Sequence, residues 1–203
     1  MIKPNEFALI LASASPRRQE LLRLAGISVE VIPSHADERF RSGEKPERHV
    51  IRLAREKAHE VAGRNPNRCV LGADTVVVVD GKVLGKPEDP KEAEEMLRFL
   101  SDREHRVITG YCLLNSTLEN RKEGFVTTRV RFKPLSSEEI RWYIATEEPF
   151  DKAGAYAIQG RGAFMIREIF GSYTNVVGLP LCEVIEALKE TGAVELFSSR
   201  QIL

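Results

Sequence analysis

The sequence has few cysteines and no long apolar run. Its three cysteines, Cys69, Cys112 and Cys182, are odd in number, lie far apart and follow neither a zinc nor a redox spacing. We therefore expect reduced thiols in the core, which fits a reducing, cytoplasmic location. No apolar run reaches the roughly 18 residues of a membrane-spanning helix, so we expect no membrane partner. The apolar residues 7–12 are too few for the hydrophobic part of a signal peptide.

Net charge is also absent. Thirty basic residues balance thirty acidic ones, which excludes a broad basic surface for DNA or RNA and confines any anion site to a local cluster. The four histidines show no metal-ligand spacing and are given no role; they are His35, His49, His59 and His105. Repeats and Pro/Ser-rich linkers are missing too, so we expect residues 1–203 to form a single domain.

What the sequence does contain is an alternation of strand and helix patterns. Residues 7–13 are typical of a buried strand, residues 16–25 of a helix, and residues 28–33 of a second strand. The polar, aperiodic residues 34–45 form a loop that is long enough to suggest a function. A second helix is predicted over residues 46–63.

The second half of the chain continues this alternation. Asp80 and Gly81, between valine-rich arms, indicate a tight hairpin turn, and Ser136 with Glu139 indicates a capping box before a helix. Further helices are predicted over residues 90–100 and 181–189, and strands over residues 106–115, 125–132 and 164–169. The expected fold class is α/β, with a mixed twisted sheet, flanking helices and a cleft.

The first candidate site lies where the first strand meets the first helix. Ser15 suits the N-cap of that helix, and Arg17 and Arg18 fall in its first turn, where the helix dipole disfavours cations and favours anions. Together with the Ser13 hydroxyl, two guanidinium groups there suit a polyphosphate. The alternative is that both arginines are solvated and paired with acids such as Glu20.

Lys57 stands on the apolar face of the second predicted helix. It shares that face with Val50, Ala54 and Val61, at a spacing of 3.6 residues. A buried lysine is costly, so it must meet an acid or an anionic ligand, or have its pKa lowered. The alternatives are a lysine that extends from the core edge into solvent and a Schiff-base nucleophile.

Acidic side chains near these cations form the next candidates. Asp74 enters a run of valines, where an unpaired carboxylate is expensive to bury. Such a carboxylate can hold a divalent metal or take a proton from water. Glu38 and Asp37, in the polar loop, offer a second carboxylate; the alternative is that both are solvated.

The hairpin register places a condition on this site. Counted back from the turn, Thr75 pairs with Lys86, so Asp74 and Lys86 point to opposite faces of a regular hairpin. They can serve one site only if the hairpin bulges or breaks at Gly85. Further along, Gln159 on a glycine-flanked stretch offers one donor and one acceptor, which match the edge of a nucleotide base.

The motifs taken together resemble the Maf family of nucleotide pyrophosphatases. The segments "LASASPRRQELL", "DE", "RLAREKA", "GADTVV", "GKP" and "DKAGAYAIQG" occur in the family's order and span residues 9–188. The resemblance implies an elongated, two-lobed, ITPase-like α/β fold with a central cleft, often dimeric, so we expect a homodimer. It also implies hydrolysis of a nucleoside triphosphate between the α and β phosphates, with a divalent cation.

The resemblance also assigns roles to residues. Arg17 falls on a position tied to substrate choice, Arg18 on a phosphate-binding position, and Asp74 on that of the proton acceptor. The charged active-site positions of the family are matched by Glu38, Lys57, Asp74 and Lys86.

Two further positions indicate the branch of the family. Thr75 and Gln159 resemble the branch that acts on dTTP and UTP, whereas the branch acting on 7-methyl-GTP carries a glutamine where Thr75 stands.

The sequence thus predicts a house-cleaning enzyme. It hydrolyses dTTP and UTP, and modified pyrimidine nucleotides are further candidate substrates. Mg²⁺ or Mn²⁺ is held by Glu38 and Asp74; Ser13 and the arginines bind substrate, and Lys57 and Lys86 assist catalysis. The alternative is a nucleotide-binding regulator of cell division that acts on a protein partner without turnover.

Overall fold

Within the described residues, 9–115 and 120–192 of this computed structural model, seven strands form one mixed sheet. The strands are β1 (Leu9–Leu11), β2 (Val29–Val31), β3 (Cys69–Val79), β4 (Lys82–Leu84), β5 (Glu104–Asn115), β6 (Asn120–Phe132) and β7 (Ile166–Phe170). Their order is β2-β1-β3-β5-β6-β7, with β4 also paired to β3. β1 is parallel to both of its neighbours, and the strands from β3 to β7 pair antiparallel. The predicted α/β fold is confirmed.

Helices flank this sheet. They are α1 (Pro16–Leu24), α2 (Pro46–Arg64), α3 (Pro90–Leu100), α4 (Ser137–Ile144), α5 (Tyr173–Val177) and α6 (Leu181–Thr191). Proline stands at the first position of α1, α2 and α3, where its missing N–H costs nothing. The capping box predicted at Ser136 and Glu139 is present. Short 3₁₀ helices cover Glu148–Asp151, Ala153–Ala155 and Gly160–Met165.

Two glycines let α2 lie directly on the sheet. A Cβ at Gly72 in β3 lies 2.1 Å from the Ala54 carbonyl oxygen, and one at Gly110 in β5 lies 2.4 Å from the Val50 carbonyl carbon. No side chain fits at either position, so the helix backbone rests on the strands. This close approach brings the face of α2 that carries Lys57 against β3.

The buried apolar side chains gather in two large clusters. One joins β1, α1 and α6 around Leu9, Leu22 and Leu188. The other joins α3, α4 and the end of β3 around Val79, Leu97 and Tyr143. Because one sheet runs through both clusters, nothing in the described chain resembles a linker between two domains. That residues 1–203 form a single domain stays a prediction.

Two of the three cysteines are buried in the core, as expected. Cys69 and Cys112 are buried free thiols, and burial raises the pKa of each to about 12. Cys182, the second residue of α6, is exposed, so the prediction of a core thiol is wrong there. The buried residues of α6 are Val184, Ala187, Leu188 and Thr191, and Cys182 is not among them. Across residues 9–115 and 120–192, no helix combines the length and apolarity needed to cross a membrane.

Candidate active site

A cleft of about 370 Å³ opens where β1, β3 and α2 meet the segment 151–159 and the turn after α5. The structure brings together in its lining all the residues that the sequence assigned to catalysis, substrate and metal. They are Ser13, Arg17, Arg18, Glu38, Lys57, Asp74, Thr75, Lys86 and Gln159. Residues from six separate stretches of the chain therefore converge on one site.

Lys57 is shared by two carboxylates at the centre of the cleft. Its Nζ donates to Glu38 Oε1 at 2.6 Å and to Asp74 Oδ1 at 2.8 Å. The Lys57 side chain is only 8% exposed, so it does not extend into solvent as the alternative proposed. Burial raises the pKa of Glu38, but the hydrogen bond and charge of Lys57, with other nearby cations, outweigh it and leave that pKa lowered.

Lys86 reaches the same site because the hairpin ends early. The register pairs Val79 with Lys82 as predicted, but β4 stops at Leu84, one residue before Gly85. The Gly85 carbonyl oxygen instead accepts a hydrogen bond from the Gly154 backbone N–H at 2.9 Å. Lys86 lies outside the strand, so the alternation of strand side chains does not set its direction. Its Nζ lies 4.0 Å from Glu38 Oε2. The break at Gly85 thus meets the condition set by the sequence.

Arg18 turns inward and binds the protein itself. Its Nε donates to the Gly178 carbonyl oxygen at 2.8 Å, and its Nη2 donates to Thr75 Oγ1 at 3.1 Å. Its Nη1 donates to Ser13 Oγ at 2.9 Å and to the Ala73 carbonyl oxygen at 2.8 Å. A guanidinium has five N–H donors, so one remains without a partner among the described residues. Burial lowers the pKa of Arg18, and Asp74 opposes that effect.

Thr75 belongs to a buried network under Arg18. Its Oγ1 lies 2.9 Å from Thr109 Oγ1, and the Thr109 hydroxyl donates to the Asn175 carbonyl oxygen at 3.1 Å. The Asn175 amide donates to the Val107 carbonyl oxygen at 3.0 Å. Thr109 and Asn175 were not predicted, because single polar residues in a strand and a short helix carry no motif.

Arg17 points away from its neighbour and across the cleft. Its Nη1 contacts Asp151 Oδ2 at 3.0 Å, and its side chain is about a quarter exposed. The predicted alternative partner, Glu20, instead pairs with Arg23. Burial raises the pKa of Asp151, but hydrogen bonds from Lys152 and Arg17 outweigh it and leave that pKa lowered.

The helix N-terminus beside Arg17 is open to a ligand. Ser15 occupies the N-cap position of α1 as predicted, but its side chain makes no capping hydrogen bond to any described residue. The first N–H groups of a helix have no partner within the helix, so here they remain available to an anion in the cleft.

Gln159 lines the cleft and directly precedes the 3₁₀ helix Gly160–Met165. Its side chain is half-buried, and its amide makes no hydrogen bond within the part of the chain that the structure describes. Both the donor and the acceptor of that amide are therefore available to a ligand.

Of the two loop acids, only Glu38 reaches the cleft. Asp37 is exposed and accepts hydrogen bonds from Arg39, which lower the pKa of Asp37 to about 2. Asp37 as a second site carboxylate is therefore wrong. Adjacent acids in a loop look equivalent in the sequence, and only the course of the backbone separates them.

His49 is a buried neighbour of Asp74 that was not predicted from the sequence. It is buried, its Nδ1 lies 3.1 Å from Glu44 Oε2, and its Nε2 lies 4.0 Å from Asp74 Oδ2. Its ring stacks on Phe40 of the polar loop, with centroids 3.4 Å apart. The signal was present: His49 precedes Lys57 by eight residues on α2, a spacing that places both on one helix face.

Known proteins resemble this chain along most of its length. A dTTP/UTP pyrophosphatase of Syntrophus aciditrophicus is 57% identical over 92% of this chain and 91% of that protein. Proteins with the same name are 56% identical in Geotalea uraniireducens, over 92% of this chain and 96% of that one, and 47% identical in Clostridioides difficile, over 93% and 97%.

A more distant similarity is to the solved structure of the Staphylococcus aureus Ham1 protein. The two are 14% identical with a TM-score of 0.44, and the match covers 83% of this chain and 82% of that one. The family described as Maf-like protein matches residues 8–191, which include every residue of the cleft named above. This chain therefore belongs to the Maf-like protein family.

Proposed function

We propose that this chain is a nucleoside triphosphate pyrophosphatase that hydrolyses dTTP and UTP to the monophosphate and pyrophosphate. The observation that carries the proposal is the centre of the cleft, where a buried carboxylate, Asp74, lies among the cations Lys57, Lys86 and Arg18. A polyanionic substrate and a water nucleophile need this combination. The relatives named dTTP/UTP pyrophosphatase, up to 57% identical, support the same reaction and substrates.

The triphosphate binds at the start of α1. Arg17 supplies a guanidinium at the mouth of the cleft, and the uncapped N-terminus of α1 supplies backbone N–H groups and a favourable dipole. The remaining N–H of Arg18 adds one donor. The main task of Arg18 is to hold Ser13 and Thr75 in place, because its other donors bind protein oxygens.

Asp74 orients the attacking water and accepts its proton. The water oxygen forms a bond to the α-phosphorus as the bond from that phosphorus to the bridging oxygen breaks, so pyrophosphate leaves with the bonding electrons. Lys57 and Lys86 offset the negative charge that develops on the leaving group. Lys57 also fixes the direction of the Asp74 carboxylate through their hydrogen bond.

A divalent cation fits this donor set when it arrives with the nucleotide. Among the described residues, no three His, Cys, Asp or Glu side chains form a set that could hold a metal ion. Glu38 and Asp74 supply two carboxylates, and Mg²⁺ typically binds one or two carboxylates together with substrate phosphates and water. When bound, Mg²⁺ or Mn²⁺ neutralises charge on the phosphate oxygens.

Gln159 reads the base. The imide edge of thymine or uracil presents an N–H donor and a carbonyl acceptor side by side, which match the carbonyl and amino groups of the Gln159 amide. Thr75 contributes by its size and its fixed position, because its hydroxyl is already bonded to Arg18 and Thr109. The homodimer, the cytoplasmic location and the absence of nucleic-acid and membrane partners stay predictions.

The first test is a panel of triphosphates incubated with the pure protein and Mg²⁺ or Mn²⁺. The panel contains dTTP, UTP, CTP, GTP and 7-methyl-GTP, and the products are separated. We expect monophosphate and pyrophosphate, from dTTP and UTP above the others. A preference for 7-methyl-GTP contradicts the roles of Thr75 and Gln159, and diphosphate with phosphate contradicts the reaction. Tight binding without any product supports the regulator.

The assigned role of Asp74 has its own test. Asp74→Asn keeps the size of the side chain but removes the proton acceptor, so we expect kcat to fall by about 10²-fold or more. Thermal unfolding of the variant checks that it folds. An unchanged kcat in a folded Asp74→Asn variant contradicts this role.

A further inference from the structure

A carboxylate outside the reaction centre holds the turn that follows Gln159. Glu148, at the start of the 3₁₀ helix Glu148–Asp151, accepts hydrogen bonds from the Gly162 backbone N–H on Oε1 at 3.1 Å and from the Arg161 backbone N–H on Oε2 at 3.0 Å. Two adjacent backbone N–H groups bonded to one charged carboxylate form a strong, directional anchor.

Tyr143 extends this anchor to the other side of Gln159. The Tyr143 hydroxyl donates to Glu148 Oε1 at 3.0 Å and accepts from the Ala157 backbone N–H at 3.1 Å. The tyrosine is fully buried in the cluster around α3 and α4. Residues 157–162, with Gln159 among them, are therefore held at both ends by one pair of side chains.

The glycines of this segment are shaped to the same pair. Gly160 has a φ of +77°, and a Cβ there lies 2.8 Å from Glu148 Oε2. A Cβ at Gly162 lies 2.7 Å from the Tyr143 hydroxyl oxygen and 2.5 Å from the Ala157 carbonyl oxygen. The backbone can approach the carboxylate and the phenol this closely only because both positions lack side chains.

The direction of Gln159 depends on this backbone. No hydrogen bond to a described residue fixes its amide, so the position of the backbone on either side decides where the side chain enters the cleft. Recognition of a base edge is tighter when the backbone that carries the amide is ordered before the ligand arrives, because ordering a mobile segment on binding costs affinity.

We propose that Glu148 is a positioning residue that sets the base preference of the enzyme by fixing the backbone around Gln159. The inference rests on the proposed function, in which Gln159 reads the base. Glu148 does not contact the reacting phosphates: it is absent from the lining of the cleft and acts through the turn. Its removal therefore weakens the binding of the base and leaves the chemical step intact.

The test compares Glu148→Ala, Glu148→Gln and Tyr143→Phe in steady-state kinetics with dTTP, CTP and GTP. Glu147→Gln is the matched control, because Glu147 is the exposed neighbour in the chain. For Glu148→Ala we expect the KM for dTTP to rise about tenfold, kcat to stay within about twofold, and the preference for dTTP over CTP and GTP to fall about tenfold.

Glu148→Gln and Tyr143→Phe should raise the KM for dTTP less than Glu148→Ala does. Glu148→Gln keeps a neutral oxygen acceptor for one of the two backbone N–H groups, so a rise in KM of about threefold is expected. Tyr143→Phe leaves the ring packed and removes only its hydroxyl contacts, which predicts a similar rise. If Glu148→Ala does not fold, these two variants carry the test.

Binding without turnover gives the second readout. Calorimetric titration with dTMP and with inorganic pyrophosphate separates the base end of the cleft from its phosphate end. We expect Glu148→Ala to bind dTMP about tenfold more weakly and pyrophosphate as the parent protein does. If Glu148 serves only the stability of the fold, Glu148→Ala lowers the unfolding temperature. Its affinities for dTMP and for pyrophosphate then stay as they are in the parent protein.

The outcomes distinguish the two proposals. A parent protein with no preference for dTTP and UTP contradicts the proposed function itself. A parent protein with that preference, retained in full by Glu148→Ala, contradicts only the role of Glu148. An equal loss for every triphosphate, or weaker pyrophosphate binding, also overturns the positioning role.

Discussion

At the scale of single residues, the site depends on one cation shared by two anions. Lys57 neutralises Asp74 in a place where that carboxylate is about nine-tenths buried, and it also draws the exposed loop acid Glu38 into the cleft. A buried ion pair is not a strong source of stability, but removing one partner leaves the other charge unpaired in a poorly hydrated site. We therefore expect Lys57 to matter for stability as well as for the proposed reaction.

Replacement of Lys57 should affect stability more than replacement of Lys86, the other lysine of the cleft. In Lys57→Met the Asp74 carboxylate is left unpaired, so we expect the free energy of unfolding to fall by about 3 kcal/mol in urea titration. Lys86→Met is the control: Lys86 is largely exposed and 4.0 Å from Glu38, and its loss should cost less than about 1 kcal/mol. Turnover should fall in both.

The double variant Lys57→Met with Asp74→Asn completes this comparison. It removes the unpaired charge, so stability should be regained in part. An equal loss of stability in Lys57→Met and Lys86→Met contradicts the buried pair.

The arginines show how far a sequence can predict a site. The pair at residues 17 and 18 indicated an anion site, and both side chains line the cleft. The sequence could not show that Arg18 points inward, because two of its partners are the backbone oxygens of Ala73 and Gly178, which leave no mark on the sequence. The convergence of Glu38, Lys57 and Asp74 likewise depends on the packing of α2 against β3.

At the scale of elements, local signals predicted most of the fold. Helices α1, α2 and α3 begin at the prolines that indicated them, and the Asp80–Gly81 turn joins β3 to β4 with both residues at positive φ. The sequence did not indicate α5, which has five residues and is too short for a helical period. It placed a strand from residue 164, but a 3₁₀ helix continues to Met165 and β7 begins only at Ile166.

The contact between α2 and β3 gives a prediction at this scale. In Gly72→Ala the new methyl group meets the Ala54 carbonyl oxygen, so α2 must shift and carry Lys57 away from Asp74. We expect a loss of stability of about 1–3 kcal/mol, measured by urea unfolding, and a lower kcat.

Gly63→Ala provides the control, because Gly63 lies in the same helix with open space around its Cβ position. That variant should be as stable as the parent or more stable by about 0.5–1 kcal/mol, since alanine favours a helix. A Gly72→Ala protein with unchanged stability and kcat contradicts the close packing of α2 on β3.

At the scale of the whole molecule, a balanced net charge coexists with strongly local electrostatics. Burial among aromatic side chains lowers the pKa of His105 to about 3, and its Nε2 lies 2.7 Å from the Tyr156 hydroxyl oxygen. The native protein thus keeps this histidine neutral, whereas the unfolded chain takes up a proton near pH 6.5. The unfolded state binds more protons below that pH, so stability must fall as the pH is lowered.

This difference in proton uptake predicts the pH dependence of stability. Between pH 6.5 and about pH 5, His105 alone should reduce the free energy of unfolding by about 1.5 kcal/mol. His105→Gln should remove that part of the slope, and the exposed His59→Gln should retain it. Urea titrations across this range measure the slope. The same slope in His105→Gln and the parent protein contradicts a neutral native His105.

The ion pair between Arg17 and Asp151 affects which anions can bind in the cleft. An anion that takes up the Nη1 group of Arg17 competes with the Asp151 carboxylate for it, so a weakly charged anion gains little by the exchange. A triphosphate brings several charges to the same guanidinium and to the start of α1, and it can win that competition. Under the proposed function Asp151 competes with ligands for Arg17, so we expect inorganic phosphate and the monophosphate product to bind more weakly than the triphosphate.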